Sequence, residues 1–249
     1  MYERIQIPLL SLADICREIC SCMGADVLLH EGRYMTYPVP GFLYARNFIP
    51  EAGEEELDAI LKEIKGNLSK GLPGSVNVTE EQMPENYREI FEKNGFTRFL
   101  SQTGMIFNLE KGFPEEIDEK IALMRDDQMI EWSQTVAAAF PKPREDDPFI
   151  ALNKSSKVLT YGYMEGEKIA ATGLLMVDPE LAGIHEIGTL PDFRQKGMGT
   201  QIIIRMLQDL KSRGIRTVSL QASDLGRDYV YTPLGFETVS TIPTWVPAG

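Results

Sequence analysis

Apolar residues recur along the chain with two periods, one typical of helices and one typical of strands. Over residues 9–23 the apolar side chains lie three or four positions apart, which predicts an amphipathic helix. Further helices are predicted over 54–65, 84–93, 128–140, 200–213 and 228–234. Strands are predicted over 26–30, 35–48, 75–78, 96–109, 158–164, 168–177, 183–190, 217–222 and 236–246. Hairpins followed by strand–helix–strand–helix–strand predict an α/β fold, an α+β arrangement around a mixed sheet.

An acidic stretch over residues 110–127 contains Gly112 and Pro114 and offers little to bury. We therefore place a boundary there and assign residues 1–110 and 111–249 to two domains. The two halves share a short likeness, FEKNGF at 91–96 and YTPLGF at 231–236, in which a helix ends at Gly and a strand begins at Phe. An internal repeat and a mere coincidence of helix-cap chemistry both explain this likeness.

The chain is acidic, with 37 Asp and Glu against 25 Lys and Arg and a formal net charge of −12. Such a charge repels nucleic-acid phosphates and attracts cations, amines included. No apolar run approaches the ~18 residues of a membrane span, and the charged N-terminal residues do not resemble a signal peptide. We expect a cytoplasmic monomer or homodimer with neither a nucleic-acid nor a membrane partner.

The three cysteines, Cys16, Cys20 and Cys22, lie within seven residues of one another and do not form a disulfide framework. Cys16 and Cys20 would share one face of a helix, which allows either a metal pair or two buried thiols. Only two histidines occur, His30 and His185, and no further ligand lies nearby in the sequence. We therefore expect buried thiols and no metal site.

The candidate chemistry lies at residues 194–199, where Arg194 and Lys196 precede a Gly-Met-Gly sequence between a strand and a strong amphipathic helix. Gly197 and Gly199 let backbone N–H groups approach a ligand closely, and the helix dipole adds partial positive charge. This combination favours a phosphate or pyrophosphate. The sequence lacks the pattern of nucleotide-triphosphate loops, and Ile202 stands where a dinucleotide fingerprint requires its third glycine.

The stretch TLPDFRQKGMGT at 189–200 resembles the acetyl-CoA-binding loop of the GNAT N-acetyltransferase superfamily. The stretch LQASDLGRDYVYTPLGF at 220–236 resembles the closing strand, helix and strand of the same family. The resemblance covers about residues 126–249. Residues 1–110 look like a second, degenerate copy, in which PEAGEEELDAI at 50–60 replaces the loop and would repel a phosphate. The resemblance therefore implies a tandem GNAT-like fold with acetyl-CoA, as cosubstrate, in the C-terminal half alone.

The resemblance also implies where acetyl-CoA would bind. The backbone groups of Gly188, Thr189 and Leu190 would pair with the pantetheine arm as an added strand does, and a glycine inside a strand independently indicates a bulge or a close backbone approach. Ser223 would touch the pantetheine and Arg227 would reach the phosphates. The pyrophosphate would lie on the amides of the loop, with Arg194 and Lys196 adding charge: Gln195, Lys196, Gly197, Met198, Gly199 and Thr200.

For catalysis the resemblance points to Tyr231 as the general acid that protonates the departing thiolate, and to a backbone N–H near Leu190 as the oxyanion donor. Glu186 is the candidate base, directly or through water, and a water chain without a dedicated base is the alternative. Strand alternation would put His185 and Glu186 on opposite faces, so that only one faces the cleft.

The implied activity is transfer of an acetyl group from acetyl-CoA to a primary amine of a small molecule. A protein or peptide N-acetyltransferase and a non-catalytic acyl-CoA-binding regulator are the alternatives. The acidic stretch 110–127 and the loop Glu145-Asp146-Asp147 further suggest a cationic acceptor, admitted between the two halves.

Overall fold

One mixed sheet runs through the whole of the described chain, which comprises residues 3–38, 46–140 and 147–249 of a computed structural model. Its eleven strands have the spatial order β1-β2-β3-β4-β11-β5-β10-β9-β8-β7-β6. They are β1 Leu28–His30, β2 Tyr34–Tyr37, β3 Arg46–Ile49, β4 Val76–Val78, β5 Phe96–Asn108, β6 Ile121–Leu123, β7 Val158–Glu165, β8 Lys168–Met176, β9 Gly183–Thr189, β10 Thr217–Ala222 and β11 Glu237–Pro247. The mixed α/β fold expected from the sequence is confirmed.

Six helices of regular α geometry flank the described sheet, with an irregular helical segment at residues 224–234. They are α1 Ile7–Met23, α2 Glu54–Asn67, α3 Tyr87–Lys93, α4 Met129–Ala139, α5 Asp147–Ala151 and α6 Met198–Ser212. The bounds of α1, α2, α3, α4 and α6 agree with the predicted helices to within a few residues, whereas the sequence did not predict α5. The sequence did not predict β6, an edge strand within the acidic stretch that pairs with β7.

The two halves repeat the same order of elements. In the N-terminal half a helix, three strands, a helix, a strand, a helix and a strand follow one another from α1 to β5. In the C-terminal half the same series runs from α4 through β7, β8, β9, α6, β10 and the segment 224–234 to β11, with the short α5 inserted after α4. The parallel pair β3–β4 corresponds to the parallel pair β9–β10. The chain is therefore a tandem repeat, as the likeness of FEKNGF and YTPLGF suggested.

The repeats exchange their last strands. β5 belongs to the first repeat but lies between β10 and β11, so that Met105 is opposite both Leu220 and Thr238. β11 in turn pairs with β4 of the first repeat. The division into residues 1–110 and 111–249 stays a prediction, since one sheet extends across it.

The hydrophobic core is shared in the same way. Leu9 and Cys16 of α1 belong to one buried cluster with Trp132 of α4 and Leu174 of β8. Trp245 of β11 stacks on a phenylalanine of α3, with ring centroids 4.5 Å apart. The C-terminal repeat thus completes the core of the N-terminal one, and each stabilises the other.

The cysteines of α1 lie where the sequence predicts buried thiols. Cys16 and Cys20 are fully buried, and burial raises the pKa of Cys16 to about 12 and that of Cys20 to about 11. Both therefore stay protonated at neutral pH. Within residues 3–38, 46–140 and 147–249, no cluster of His, Cys, Asp and Glu has the arrangement of a metal site. The described helices also include none long and apolar enough to span a membrane.

Candidate active site

Two parallel strands at the centre of the sheet diverge and leave a cleft. β9 and β10 pair at Gly183 and Ser219, where the Ser219 amide donates to the carbonyl oxygen of Ala182 at 3.0 Å. Beyond this point the described residues of the two strands form no further ladder pair. The end of β9, which holds the predicted pantetheine-binding residues, therefore faces open space on its β10 side.

A β-bulge at Glu186 shapes the β9 side of this cleft. Gly173 of β8 is opposite both Glu186 and Ile187, and Glu186 has a left-handed backbone with φ of 51°. A bulge interrupts the in–out alternation of a strand, and both His185 and Glu186 contribute to the cleft wall. The expectation that only one of the two side chains faces the cleft stays a prediction.

Gly188 itself is not at the bulge but at a close approach of two elements. A Cβ atom at Gly188 would lie 2.8 Å from the Cβ of Ala139, at the end of α4. This separation is too short for two carbon atoms, and Ala139 has no flexible side chain to move aside. Gly188 therefore lets α4 pack directly on the backbone of β9.

Residues 194–200 form a turn at the start of α6, and within the described chain the amides of residues 195–200 donate to no backbone carbonyl. Gln195 and Gly197 have left-handed backbones, with φ of 62° and 76°. The first backbone hydrogen bond of α6 joins the Gln201 amide to the Gly197 carbonyl oxygen at 3.0 Å, and no side chain caps the helix. The preceding amides lie at the positive end of the helix dipole, an arrangement that suits an anion; binding of a phosphate there stays a prediction.

Two lysines add positive charge beside this loop. The Lys196 ammonium lies 5.2 Å from the centre of the Phe193 ring, and the Lys168 ammonium of β8 lies 5.3 Å from it. Lys196 also donates to the Asp192 carbonyl oxygen at 3.3 Å. The sequence motif contains Lys196, whereas Lys168 is distant in sequence and reaches the loop only through the β8–β9 pairing.

Arg194 joins the loop to its neighbours. Its guanidinium donates to the carbonyl oxygens of Thr189 at 3.1 Å and of Ala139 at 2.8 Å. It therefore holds the end of β9 and the C-terminal end of α4 in place, where a cation also stabilises the helix dipole. A direct contact of Arg194 with phosphate stays a prediction.

Both backbone polar groups of Leu190 form hydrogen bonds within the protein. Its amide donates to the Ala170 carbonyl oxygen of β8 at 3.0 Å, and its own carbonyl oxygen accepts from the Phe193 amide at 2.9 Å. Leu190 itself is therefore not the free amide donor expected for pantetheine or for an oxyanion. Alternate amides of a strand point to opposite edges, which directs the neighbouring Thr189 amide toward the cleft.

Tyr231 lies on the opposite wall of the cleft, in a π-helical turn over Arg227–Tyr231. The tyrosine is 9% exposed, and its ring packs edge-on against Phe236 at 5.7 Å between centroids. Gly226 makes room for it, since a Cβ there would lie 2.9 Å from the tyrosine ring. Burial and the Glu186 carboxylate both raise the pKa of Tyr231. The phenol therefore stays protonated at neutral pH and is available as a hydrogen donor.

The cleft opens into a cavity of about 740 Å³ lined by both repeats. The C-terminal repeat contributes His185, Glu186 and Tyr231. The N-terminal repeat contributes Arg46 of β3 and four consecutive residues of β5, Phe99, Leu100, Ser101 and Gln102. The strand exchange brings this part of β5 to the cavity.

Comparison with known proteins agrees with this geometry. Residues 124–236 match the family model described as the Acetyltransferase (GNAT) family. This segment contains the diverging strands, the amide-lined loop and Tyr231. Residues 124–236 are a GNAT domain. The fold extends beyond it: a GCN5-related N-acetyltransferase from Kribbella flavida superposes with a TM-score of 0.71 at 15% identity, covering 96% of each chain.

Curated relatives of the GNAT domain cover shorter segments. An uncharacterised N-acetyltransferase of Methanocaldococcus jannaschii is 39% identical over 69 residues, which are 27% of this chain and 30% of that protein. This chain thus spans less than a third of that relative's length. A ribosomal protein alanine N-acetyltransferase of Escherichia coli is 26% identical over 113 residues, 45% of this chain and 74% of that enzyme.

Two further residues that were predicted to contact acetyl-CoA already form hydrogen bonds or ion pairs within the protein. Ser223 caps the segment 224–234, accepting from the Gly226 amide at 3.2 Å. Arg227 forms ion pairs with Asp224 at 3.0 Å and Asp228 at 2.8 Å and donates to Thr103 of β5 at 3.3 Å. Its charge is therefore largely compensated, and contact with the phosphates of acetyl-CoA stays a prediction.

The acidic stretch does not face the cavity. Within the described chain, the cavity wall contains no residue of 110–127, and Glu186 is its one carboxylate. β6, within the stretch, lies at the far edge of the sheet. The described residues of this stretch therefore give no local support for a cationic acceptor, which stays a prediction. Glu145 and Asp146 lie outside the described residues.

Sequence reasoning also missed the N-terminal contribution to the wall. Arg46 and residues 99–102 belong to the copy without a phosphate loop, and no local motif marks them. Their role depends on the strand exchange, which places β5 next to β10. The repeat of element order was the one available signal, and it does not indicate which strand pairs with which.

Proposed function

We propose that the protein transfers an acetyl group from acetyl-CoA to a primary amine held in the cavity between the two repeats. One observation carries the proposal. The amides at the start of α6 adjoin the gap between β9 and β10, and this gap leads to a cavity that contains both a protonated phenol and a carboxylate. The amides suit the phosphates of a thioester cosubstrate, and the cavity suits the amine that would accept its acetyl group.

Two groups of backbone amides would bind acetyl-CoA. The amides of residues 195–200, supported by Lys196 and Lys168, would hold the pyrophosphate. The Thr189 amide would bind the pantetheine arm or polarise the thioester carbonyl; losing such a donor costs ~3 kcal/mol of transition-state stabilisation. When acetyl-CoA is bound, the amine nitrogen forms a bond to the acetyl carbon, and the carbon–sulfur bond breaks.

Two side chains would move the protons. Glu186, directly or through water, would accept the proton that the amine nitrogen loses. Tyr231 would donate to the departing sulfur from the opposite wall, and a raised pKa keeps its proton in place until then. After the reaction the proton returns to Tyr231 through solvent.

The acceptor is proposed to be a small molecule. Both repeats contribute to the wall, and 740 Å³ is a typical volume for a small-molecule pocket. An N-terminal amine of a protein is the second candidate, because the Escherichia coli relative is named as an alanine N-acetyltransferase acting on a ribosomal protein.

The test measures release of free thiol from acetyl-CoA in the presence of a library of amines and of peptides with free N-termini. Replacing Tyr231 with Phe should slow acetyl transfer by about two to four orders of magnitude, the scale of a lost general acid. Acetyl-CoA affinity, measured by calorimetry, should change little.

The matched control is Tyr229→Phe, since Tyr229 lies two residues earlier in the same segment and is 77% exposed. An unchanged turnover number in Tyr231→Phe, measured where chemistry limits the rate, would assign Tyr231 a packing role only. Acetyl-CoA binding without transfer to any amine or peptide would favour a non-catalytic acyl-CoA-binding regulator.

A further inference from the structure

The acceptor side of the cavity contains an arginine from the degenerate repeat. Arg46 begins β3 and lies on the cavity wall with Ser75 and Thr244. Its guanidinium is 3.5 Å from the side-chain oxygen of buried Asn77, whose amide in turn donates to Thr244 at 2.7 Å. Arg46 thus belongs to a polar row in which Ser75 and Asn77 come from the first repeat and Thr244 comes from β11.

Its backbone position is well fixed. The next residue, Asn47, is buried and donates to the carbonyl oxygens of Pro73 at 2.8 Å and Ser75 at 3.0 Å. The Asn47 side-chain oxygen also accepts from Thr36 at 2.6 Å. These contacts hold the start of β3 against its neighbours, so the guanidinium projects from a rigid strand rather than from a loop.

The charges of the wall are few and of both signs. Among the described lining residues the Arg, Lys, Asp and Glu side chains are Arg46, Arg194 and Glu186, and burial lowers the pKa of His185 to about 4. Arg194 is bonded to backbone carbonyls beside the proposed phosphate loop. Of the residues that the structure describes, Arg46 and Glu186 are therefore the guanidinium and the carboxylate nearest to a bound acceptor.

The two charges come from different strands that line one cavity. Arg46 lies on β3 and Glu186 on β9, and both contribute to the wall. An acceptor that fills the cavity would therefore contact both.

We propose that the acceptor is a small zwitterion that has a carboxylate and the reacting amine in one molecule. Its carboxylate would pair with the Arg46 guanidinium, whose planar fork matches two carboxylate oxygens. Its amine would lie at Glu186, opposite Tyr231. The inference rests on the proposed acetyl transfer and specifies its substrate class.

The overall charge of the molecule is consistent with this class. A net charge of −12 repels anions at a distance, whereas a zwitterion is neutral overall and is not repelled. A purely cationic amine would bring a second positive charge near Arg46. The charges on the cavity wall therefore favour a zwitterionic acceptor, whereas the net charge of the chain alone suggests a cationic one.

The experiment compares matched acceptors, each an amino acid and its carboxamide, over a series of α- and ω-amino acids. Wild type should use the acid at least tenfold better in kcat/KM. Arg46→Gln should abolish that preference by raising KM for the acid, and Arg46→Lys should retain part of it. Arg98→Gln, an exposed arginine on β5 outside the cavity wall, is the control and should behave as wild type.

Equal use of acid and carboxamide by wild type would overturn the inference, as would an Arg46→Gln variant that weakens both equally. If Arg46→Gln fails to fold, the wild-type preference and Arg46→Lys decide the question. If no acceptor turns over, calorimetric titration of the amino acids into the protein replaces kinetics, and absence of binding overturns the inference. Failure of acetyl-CoA itself to bind would instead refute the proposed function, and the same titration would still test the cavity.

Discussion

Replacing Gly199 with Val tests the phosphate loop with little expected damage to the fold. Gly199 is the second residue of α6, and its backbone is not left-handed. A Cβ there would lie 3.4 Å from Ile187 and 3.6 Å from Thr189, which are ordinary van der Waals contacts. We expect the rest of the valine side chain to hinder the approach of a phosphate to the amides at the start of α6.

The expected loss follows from the hydrogen bonds that the valine would block. The amides of residues 198–200 precede the first internal bond of the helix, and each bond to a charged group contributes about 1.5–3 kcal/mol. Losing two of them costs at least about 3 kcal/mol, which corresponds to a loss of about a hundredfold or more in acetyl-CoA affinity. Helix stability should not fall, because glycine is the less favourable residue in a helix by about 0.5–1 kcal/mol relative to alanine.

Calorimetry of acetyl-CoA binding, with thermal unfolding alongside, measures both quantities. Gly66→Val is the matched control, since Gly66 lies in α2 and a Cβ there would meet no atom within 4 Å. We expect one site per chain, because the equivalent helix α2 begins with Glu54, Glu55 and Glu56. A folded Gly199→Val protein that binds as wild type does, or a stoichiometry of two, would refute the assignment of the loop.

Two further predictions concern stability. Because burial lowers the pKa of His185 to about 4 in the folded chain, the unfolded chain binds the proton first as pH falls below its ordinary value of about 6.5. The free energy of unfolding should therefore decrease between pH 6.5 and 4, by up to about 3 kcal/mol at 1.36 kcal/mol per pKa unit. The free energy of unfolding, measured by urea titration at each pH, should fall more steeply with decreasing pH in wild type than in His185→Leu. The same pH dependence in both proteins would contradict the reasoning. Gly188→Ala should destabilise the protein by about 1–3 kcal/mol, since its Cβ would overlap with Ala139; Gly66→Ala, which meets no atom, should not. Equal melting temperatures for these two variants would show that α4 shifts without cost.

Much of the fold could be predicted because local signals were strong. The helix at α6 has an amphipathic pattern and a glycine at its start, and Thr217–Ala222 alternates polar and apolar residues as a strand does. The phosphate loop is contiguous in sequence, so a single motif contains most of its parts. Tyr231 was accessible to prediction for the same reason, since it precedes the Leu-Gly-Phe sequence at 234–236.

The features that could not be predicted depend on contacts between distant residues. Alternation put Glu186 and His185 on opposite faces, but a bulge is a property of two strands and requires knowledge of what lies opposite. The Leu190 amide could be assigned to a ligand only while its bond to Ala170 was unknown. Arg46 had no motif at all, and its place on the cavity wall follows from the pairing of the two repeats.

The exchange of β5 and β11 also determines when the cleft can form during synthesis. Residues of β5 leave the ribosome before those of β11, in which Pro247 pairs with Phe96 at one end of the ladder. Until then β4 and β5 each have an edge without its final neighbour, and such edges favour association with other chains. Pairings between residues so distant in sequence also form slowly. The nascent protein should therefore depend on protection of these edges, and the cavity should become complete only once residues 237–247 have been released.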